Sequence, residues 1–150
     1  MRRTIVLDTS PLSLLADPRA APRPQEIRRW ANQHLHRGHE LVVPAIADYE
    51  VRRELIRLKN TRSLALLDQF GGDRYLPLTD EALKLAAALW AQARSRGAPT
   101  ADPRDLDCDV LIAAQALTLD LPGADIVIAT SNVGHLAQFV AAAPWGDIVP

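Results

Sequence analysis

Residues 5–10 read Ile-Val-Leu-Asp-Thr-Ser, a short apolar run that ends at the acid Asp8. An apolar run with β-branched members predicts a β-strand. Ser10 and Pro11 then predict the start of a helix, with serine as the N-cap and proline at the first helical position. A strand that passes directly into a helix is typical of an α/β fold.

The remainder of the chain repeats this alternation of short apolar runs and longer helical patterns. Further strands are predicted at residues 41–43, 75–78 and 126–129, with an edge strand at 148–149. Helices are predicted at residues 25–37, in two pieces across 45–70, from a Thr79 cap to about residue 97, from an Asp107 cap across 108–119, and at 133–140. The sequence therefore predicts a single α/β domain over residues 1–150, with a doubly wound parallel sheet.

Composition narrows the classes of protein only a little. The chain has 150 residues and a formal net charge of −1, so nucleic acid would have to bind a local basic face rather than a global positive field. The one cysteine, Cys108, excludes an intramolecular disulfide and suits a reducing cytosol. No segment approaches about 18 uninterrupted apolar residues. We expect a cytoplasmic protein that does not enter a membrane.

Several acidic and polar residues fall where predicted strands end or predicted helices begin. Asp8 ends the first strand, and the fourth strand is followed by Thr130, Ser131 and Asn132. The first turn of a predicted helix carries Asp107 and Asp109. In open parallel sheets, ligands bind beyond the carboxyl ends of the strands, near the point where strand order reverses. We therefore expect these side chains to surround one pocket.

Glu50 is a further candidate for this pocket, in the second turn of the helix predicted after the second strand. Glu54 is a rival one turn farther along the same helix. Four residues advance a helix by about 6 Å, so Glu54 is expected to lie farther from the sheet edge. Glu50 is the preferred candidate.

Converging carboxylates indicate a particular chemistry. Unpaired carboxylates repel one another at close range, and a divalent cation removes that cost. Oxygen ligands suit Mg²⁺ or Mn²⁺, whereas zinc would need a Cys/His pattern that the sequence lacks. A calcium loop starting at Asp105 would need glycine and glutamate where Val110 and Ala116 stand. Metal-carboxylate sites of this kind serve phosphodiester cleavage.

Each acid also has an ordinary structural explanation. Asp8 can simply end a strand, Asp107 can cap a helix, and Asp109 can complement the helix dipole. The catalytic interpretation therefore depends on all of them converging in the folded chain.

Four segments, in this order along the chain, resemble the motifs of the PIN-domain nucleases and especially of VapC-type toxins. Residues 5–10 resemble the opening strand with its first metal aspartate. The other three segments are residues 42–51, which lead to Glu50, residues 107–117, where Asp109 matches a metal aspartate, and residues 128–139, which include Asn132. The 107–117 helix is fairly specific, and the ordered set covers nearly the whole chain.

The resemblance implies a three-layer α/β/α domain with a central parallel sheet of about five strands. It also implies a Mg²⁺- or Mn²⁺-dependent endoribonuclease with an RNA substrate, a cognate antitoxin and frequent homodimerisation. Its implied catalytic residues are Asp8, Glu50, Asp109 and Asn132. The metal ligands are expected among Asp8, Glu50, Asp107 and Asp109, with Thr9 and Thr130 in support. Asn132 stands where many relatives have aspartate, so the resemblance implies that a second metal would be held weakly.

Two other classes of protein remain open. A phospho-receiver signalling domain is also doubly wound, but it should show an acid pair after the first strand and an aspartate ending the third. A PIN-like domain without cleavage activity could serve as an RNA- or protein-binding module, and Asn132 keeps that alternative open.

Basic residues form two groups. The first, His34, His36 and His39 with Arg28, Arg29 and Arg37, could serve a metal or RNA role. Positions i and i+2 do not share a helix face, so a solvated helix end is the preferred interpretation. The group around the Glu50 helix can either hold phosphates near the site or pair with Glu50 and Glu54; it comprises Arg52, Arg53, Arg57, Lys59 and Arg62.

Overall fold

The structure, a computed structural model, describes residues 2–96, 103–122 and 125–150. The strands are β1 (Thr4–Leu7), β2 (Glu40–Pro44), β3 (Tyr75–Leu76), β4 (Ile126–Ala129) and β5 (Ala142–Ala143). The helices are α1 (Thr9–Leu15), α2 (Pro22–His36), α3 (Ala45–Arg57), α4 (Thr61–Gly71), α5 (Asp80–Ser95), α6 (Pro103–Leu117) and α7 (Val133–Leu136). Short 3₁₀ turns cover Gly72–Arg74 and Trp145–Asp147. The order is that of the predicted α/β domain.

The five strands form one parallel sheet in the order β3-β2-β1-β4-β5. Val6 of β1 is in register with Val42 on one side and with Ile128 on the other. The chain fills the sheet outward from β1 to β3 and then returns to add β4 and β5 on the opposite side. The strand order therefore reverses between β1 and β4, and the crevice beyond their carboxyl ends is where such sheets bind ligands.

The core confirms that both faces of the sheet are covered. Every residue of β1 is buried, and Ile5, Val6 and Leu7 are completely inaccessible. Because successive strand residues point to opposite faces, helices must lie on both sides, which gives three layers. Full burial of each of these side chains stabilises the fold by about 1.5–3 kcal/mol. A second, smaller cluster joins α5 to α6 through Ala82, Ala86, Val110 and Ala114.

The fifth strand was predicted in the wrong place. Residues 148–149 form no strand; β5 is Ala142–Ala143, whose backbone bonds to β4. The carbonyl of Ile148 instead accepts hydrogen bonds from Trp30 Nε1 and His34 Nε2, each at 2.9 Å. Side chains of α2 therefore bind the backbone that the sequence pattern assigned to a sheet edge.

Two helix starts also differ from prediction. The N-cap of α1 is Asp8, not Ser10, because the Asp8 carboxylate accepts from the backbone N–H of Thr9. Helix α6 begins at Pro103, so Asp107 lies within the helix instead of capping it. Proline suits the first helical position because its fixed φ is helical and it lacks an N–H that would go unpaired there.

Other boundaries shift by a few residues. Helix α2 begins at Pro22, β3 ends at Leu76, and α7 ends at Leu136 instead of residue 140. The cap at Thr79 is as the sequence predicts, and the predicted break between two helices across residues 45–70 falls at Asn60, which caps α4. The predicted helix stop at residues 97–99 lies outside the described residues.

The histidine group is not a solvated helix end. His34 is completely buried, whereas His36 is exposed. His34 is an internal residue that ties α2 to the C-terminal segment through the Ile148 carbonyl. Within the described ranges, no helix combines the length and apolar character that a membrane span requires.

Candidate active site

A cleft of about 390 Å³ opens at the carboxyl ends of β1 and β4, where the strand order reverses. Four elements contribute to it: the start of α1, the second turn of α3, the second turn of α6 and the loop after β4. Its lining residues are Asp8, Thr9, Ser10, Ser13, Glu50, Cys108, Asp109, Ser131 and Asn132. Three carboxylates distant in sequence thus line one cavity.

Asp8 is held rigidly at the floor of the cleft. It is only 7% exposed, because β1 delivers it directly from the buried centre of the sheet. One carboxylate oxygen accepts from the Thr9 N–H at 2.7 Å, and the other accepts from the Thr130 hydroxyl at 2.7 Å. The Thr130 hydroxyl also accepts the Asn132 N–H at 2.8 Å. The loops after β1 and β4 are therefore joined through Asp8.

Glu50 reaches the cleft from α3. Its carboxylate accepts a hydrogen bond from the Thr9 hydroxyl at 2.9 Å, and its side chain is 20% exposed. Arg53, one turn along the same helix, approaches it to 3.9 Å. Glu54 is paired with Arg57 on the exposed surface and is not among the lining residues. Of the two glutamates, Glu50 is the one at the cleft.

Asp109 comes from α6 and is 7% exposed. His135 of α7 faces it, with Nδ1 at 3.4 Å from the Asp109 carboxylate, an ion-pair distance without hydrogen-bond geometry. Sequence reasoning gave His135 no role. Its position three residues after Asn132, on the short helix that follows the site loop, was the available signal.

The structure places Asp107 outside the cleft. Asp107 is exposed, and it is not a lining residue. Two residues of a helix differ in direction by about 200°, so Asp107 and Asp109 point to opposite sides of α6. The predicted placement of both acids on the first helical turn is wrong, because α6 starts four residues before Asp107. Asn132 lines the rim and is exposed.

Cys108 also lines the cleft, a position that the sequence did not reveal. Burial, followed by the negative charge and hydrogen bond of Glu50, raises the pKa of its thiol to about 11. A thiol with that pKa stays protonated at neutral pH, which disfavours a nucleophilic role.

The donor set of the cleft fits a hard divalent cation by its chemistry. Asp8, Glu50 and Asp109 offer carboxylate oxygens, the ligands that Mg²⁺ and Mn²⁺ prefer. Among the described residues, no three acids, histidines or cysteines close on a single point. The carboxylates are instead distributed around the cleft, with Glu50 held by Thr9 and Asp8 held by Thr130. Asp8, Glu50 and Asp109 are the residues that would hold a cation there.

Comparison with known proteins places this arrangement in a family. The PIN domain profile matches residues 5–135 of the chain. The chain belongs to the PIN domain family. PIN domains as a class are nucleases. The strand order and the acids at the strand ends also exclude the phospho-receiver alternative, since β3 ends at Leu76 and not at an aspartate.

Solved structures share this PIN fold over nearly the whole chain. FitAcB from Neisseria gonorrhoeae aligns with a TM-score of 0.69 and 20% identity, over 96% of this chain and 99% of that one. VapBC-1 from nontypeable Haemophilus influenzae aligns with a TM-score of 0.66 and 20% identity, over 96% and 99%. VapBC2 from Rickettsia felis, bound to a fragment of promoter DNA, aligns with a TM-score of 0.65 and 14% identity, over 95% and 98%. No curated protein matches the chain.

Proposed function

We propose that this PIN domain is a Mg²⁺- or Mn²⁺-dependent endoribonuclease of the VapC toxin type. The observation that carries the proposal is the convergence of Asp8, Glu50 and Asp109 on one cleft at the reversal of strand order. Carboxylates alone repel a phosphodiester, whereas the same carboxylates with a divalent cation form a site for it. When bound, the cation supplies an activated water and neutralises charge that develops on the phosphate.

In this proposal Asp8, Glu50 and Asp109 hold the cation, and Asn132 contacts substrate or water at the rim. Thr130 and Thr9 act as positioning residues, because their hydroxyls fix the Asp8 and Glu50 carboxylates. The walls of the cleft keep Asp8 and Asp109 largely out of bulk water, which strengthens their attraction for a cation.

We further propose that the protein binds an antitoxin and forms a homodimer. The structures that share this fold include VapBC and FitAB complexes, and one is bound to promoter DNA. Together with the VapC-like motifs, these neighbours support an antitoxin partner for the chain. We also propose a cytoplasmic location, where RNA substrates are available.

The test is cleavage of a mixture of tRNA, ribosomal RNA and messenger fragments by the purified protein. We expect cleavage with Mg²⁺ or Mn²⁺, none with EDTA, and a loss of about 100-fold or more in Asp109→Asn, since a ligand matters at least as much as the groups that orient it. Asp107→Asn is the matched control, because it removes the same charge two residues away on the exposed side of α6. We expect it to retain the parent's rate.

One observation favours a second function, a PIN domain that binds without cleaving. The carboxylates are spread around the cleft, and Asn132 stands where many relatives have aspartate. Absence of cleavage over a wide range of Mg²⁺ and Mn²⁺ concentrations, with metal binding demonstrated, would support this second function and reject the first.

A further inference from the structure

Tyr49 and Arg53 form an exposed pair on α3 next to Glu50, at the side of the cleft that we call its entrance. Neither residue lines the cleft itself, and we term them the Tyr49–Arg53 pair. Tyr49 precedes Glu50 on α3, and 56% of its surface is exposed. The Arg53 guanidinium lies 5.0 Å from the centre of the Tyr49 ring and 3.9 Å from the Glu50 carboxylate. An exposed aromatic ring and an exposed cation therefore adjoin a proposed metal ligand.

The other arginines of α3 are engaged elsewhere. Arg52 forms a bidentate bond with Asp48 and a further one with Asp68, which holds it against α4. Arg57 is paired with Glu54 at the far end of the helix. Arg53 has the loosest carboxylate contact of the three, and that carboxylate belongs to the cleft. The structure thus separates one cleft-side arginine from a generally charged helix face.

The position of the pair is also distinctive. Three further arginines lie over aromatic rings in the described part of the chain: Arg23 over Trp145, Arg74 over Phe70 and Arg94 over Trp90. None of those six residues lines the cleft. Stacking of arginine on an aromatic ring is therefore common in this fold, but only the Tyr49–Arg53 pair lies beside the carboxylates.

We propose that the Tyr49–Arg53 pair is a docking point for single-stranded RNA, with Tyr49 stacking on a base and Arg53 contacting an adjacent phosphate. The inference rests on the proposed nuclease function and names the part of the substrate that the entrance to the cleft recognises. With Arg53 in place, more than half of Tyr49 remains exposed, so ring surface is available to a second planar group. Every base presents a π-face, so such stacking holds a strand without selecting its sequence.

The charges of the site explain why a docking point is needed here. The cleft is lined by three carboxylates, and the chain has a net charge of −1, so neither attracts a polyanion. Arg53 supplies positive charge at the entrance, directly beside Glu50. A single-stranded segment suits the pair better than a duplex, because bases in a duplex are already stacked on one another.

The test is fluorescence anisotropy with a short labelled oligouridine whose phosphorothioate linkages resist cleavage, titrated with Mg²⁺ present. We expect Tyr49→Ala to weaken binding by about 5–10-fold and Tyr49→Phe by less than about 2-fold, since phenylalanine keeps the stacking face. Arg53→Ala should weaken binding by about 3–10-fold and make it less salt-dependent, by about one phosphate contact. Matched controls are Tyr75→Ala, an exposed tyrosine on β3, and Arg57→Ala, an exposed arginine on α3; both should bind as the parent does.

Parental affinity in Tyr49→Ala, or an equal loss in Tyr75→Ala, would overturn the proposal. If Arg53→Ala and Arg57→Ala lose the same RNA affinity, Arg53 acts only through its positive charge, and its assigned contact with a phosphate is overturned. Light scattering on the same samples detects a different occupant: a change of mass in Tyr49→Ala would identify the pair as a contact between copies and contradict RNA docking. The assay measures binding without cleavage, so the two proposals can fail separately. If the parent protein does not cleave RNA but its RNA binding still depends on Tyr49, the proposed nuclease activity is refuted and the docking point is not.

Discussion

Thr130 shows how a neutral side chain sets the geometry of an acidic site. Its buried hydroxyl donates to Asp8 and accepts from the Asn132 N–H, so it fixes both a proposed ligand and the rim of the cleft. Groups that orient a metal ligand commonly contribute 10–100-fold to affinity or activity.

Replacing Thr130 with valine tests this role because the shape of the side chain is kept while the hydroxyl is lost. We expect Thr130→Val to lower the free energy of unfolding by about 1–3 kcal/mol, since the buried Asp8 carboxylate and the part-buried Asn132 N–H each lose a partner. RNA cleavage should fall by about 10–100-fold. Thr130→Ser keeps the hydroxyl and should retain most of the activity. Urea denaturation and cleavage rates provide the two readouts, and equal activity in the valine and serine variants would contradict the role.

The burial of His34 leads to a prediction of how the free energy of unfolding depends on pH. Burial, together with His39 and Arg3, lowers the pKa of His34, while its bond to the Ile148 carbonyl opposes the shift. Since Nε2–H donates to that carbonyl, protonation would have to occur at Nδ1, which has no acceptor within the described residues. Burial and Arg3 also lower the pKa of His39, whose Nδ1 accepts the Arg3 N–H.

A lowered folded pKa means that the unfolded chain binds protons first as the pH falls below about 6.5, so stability is lost in that direction. We expect the urea midpoint to drop between about pH 7.5 and about pH 5.5. His34→Gln, which can still donate to Ile148, should be less stable at the higher pH but show a smaller drop. His36→Gln, at an exposed position, should show the parent's drop. If His34→Gln keeps the full drop, the titration lies elsewhere.

Helix α6 is fixed in place by one buried amide. Gln115 is 1% exposed, and its Nε2 donates to the carbonyls of Leu76 and Pro77 at 3.0 and 3.2 Å. Its Oε1 accepts the Ile46 N–H at 3.4 Å, at the start of α3. The amide therefore joins α6 to α3 and to the end of β3, and so sets the distance between the elements that carry Asp109 and Glu50.

Gln115→Leu should lower the free energy of unfolding by about 1–3 kcal/mol, because three part-buried backbone groups lose their partner. Gln92→Leu, at an exposed position on α5, is the matched control and should change stability by less than about 0.5 kcal/mol. Guanidinium denaturation compares the two. A Gln115 variant as stable as the Gln92 variant would show that the amide does not join these elements.

The elements that sequence patterns predicted are those stabilised by local features. β1 and β4 are continuous apolar runs, and Asn60 and Thr79 cap their helices with their own side chains. The failures involve distant partners: Ile148 is bound by α2, and β5 consists of two alanines without any apolar pattern of their own. Spacing along the chain carries no information about such contacts.

The same distinction applies to the site. Strand ends and helix starts predicted Asp8, Glu50 and Asp109, because a parallel sheet brings those points to one edge. The place of Asp107 in the helix was misjudged because the predicted helix started at Cys108, five residues too late. The places of His135 and Cys108 at the site become visible only when α3, α6 and α7 are placed side by side.

At the scale of the whole molecule, residues 5–135 match the PIN domain, and the sheet brings carboxylates from the end of β1, from α3 and from α6 to one cleft. The central claim is that this cleft binds a divalent cation through Asp8, Glu50 and Asp109. Two of these acids have natural controls on the same helices, Asp107 for Asp109 and Glu54 for Glu50, which differ from them mainly in facing solvent. A metal titration of these variants therefore shows whether metal affinity depends on where a carboxylate lies or only on the net charge.

The decisive measurement is a Mn²⁺ titration of the folded protein followed by electron paramagnetic resonance, in which free Mn²⁺ is counted directly. We expect Asp109→Asn and Glu50→Gln each to weaken Mn²⁺ binding by about 10-fold or more, because each removes an oxygen ligand and a negative charge. Asp107→Asn and Glu54→Gln should bind Mn²⁺ as the parent does. Parental Mn²⁺ affinity in a folded Asp109→Asn variant would contradict the account.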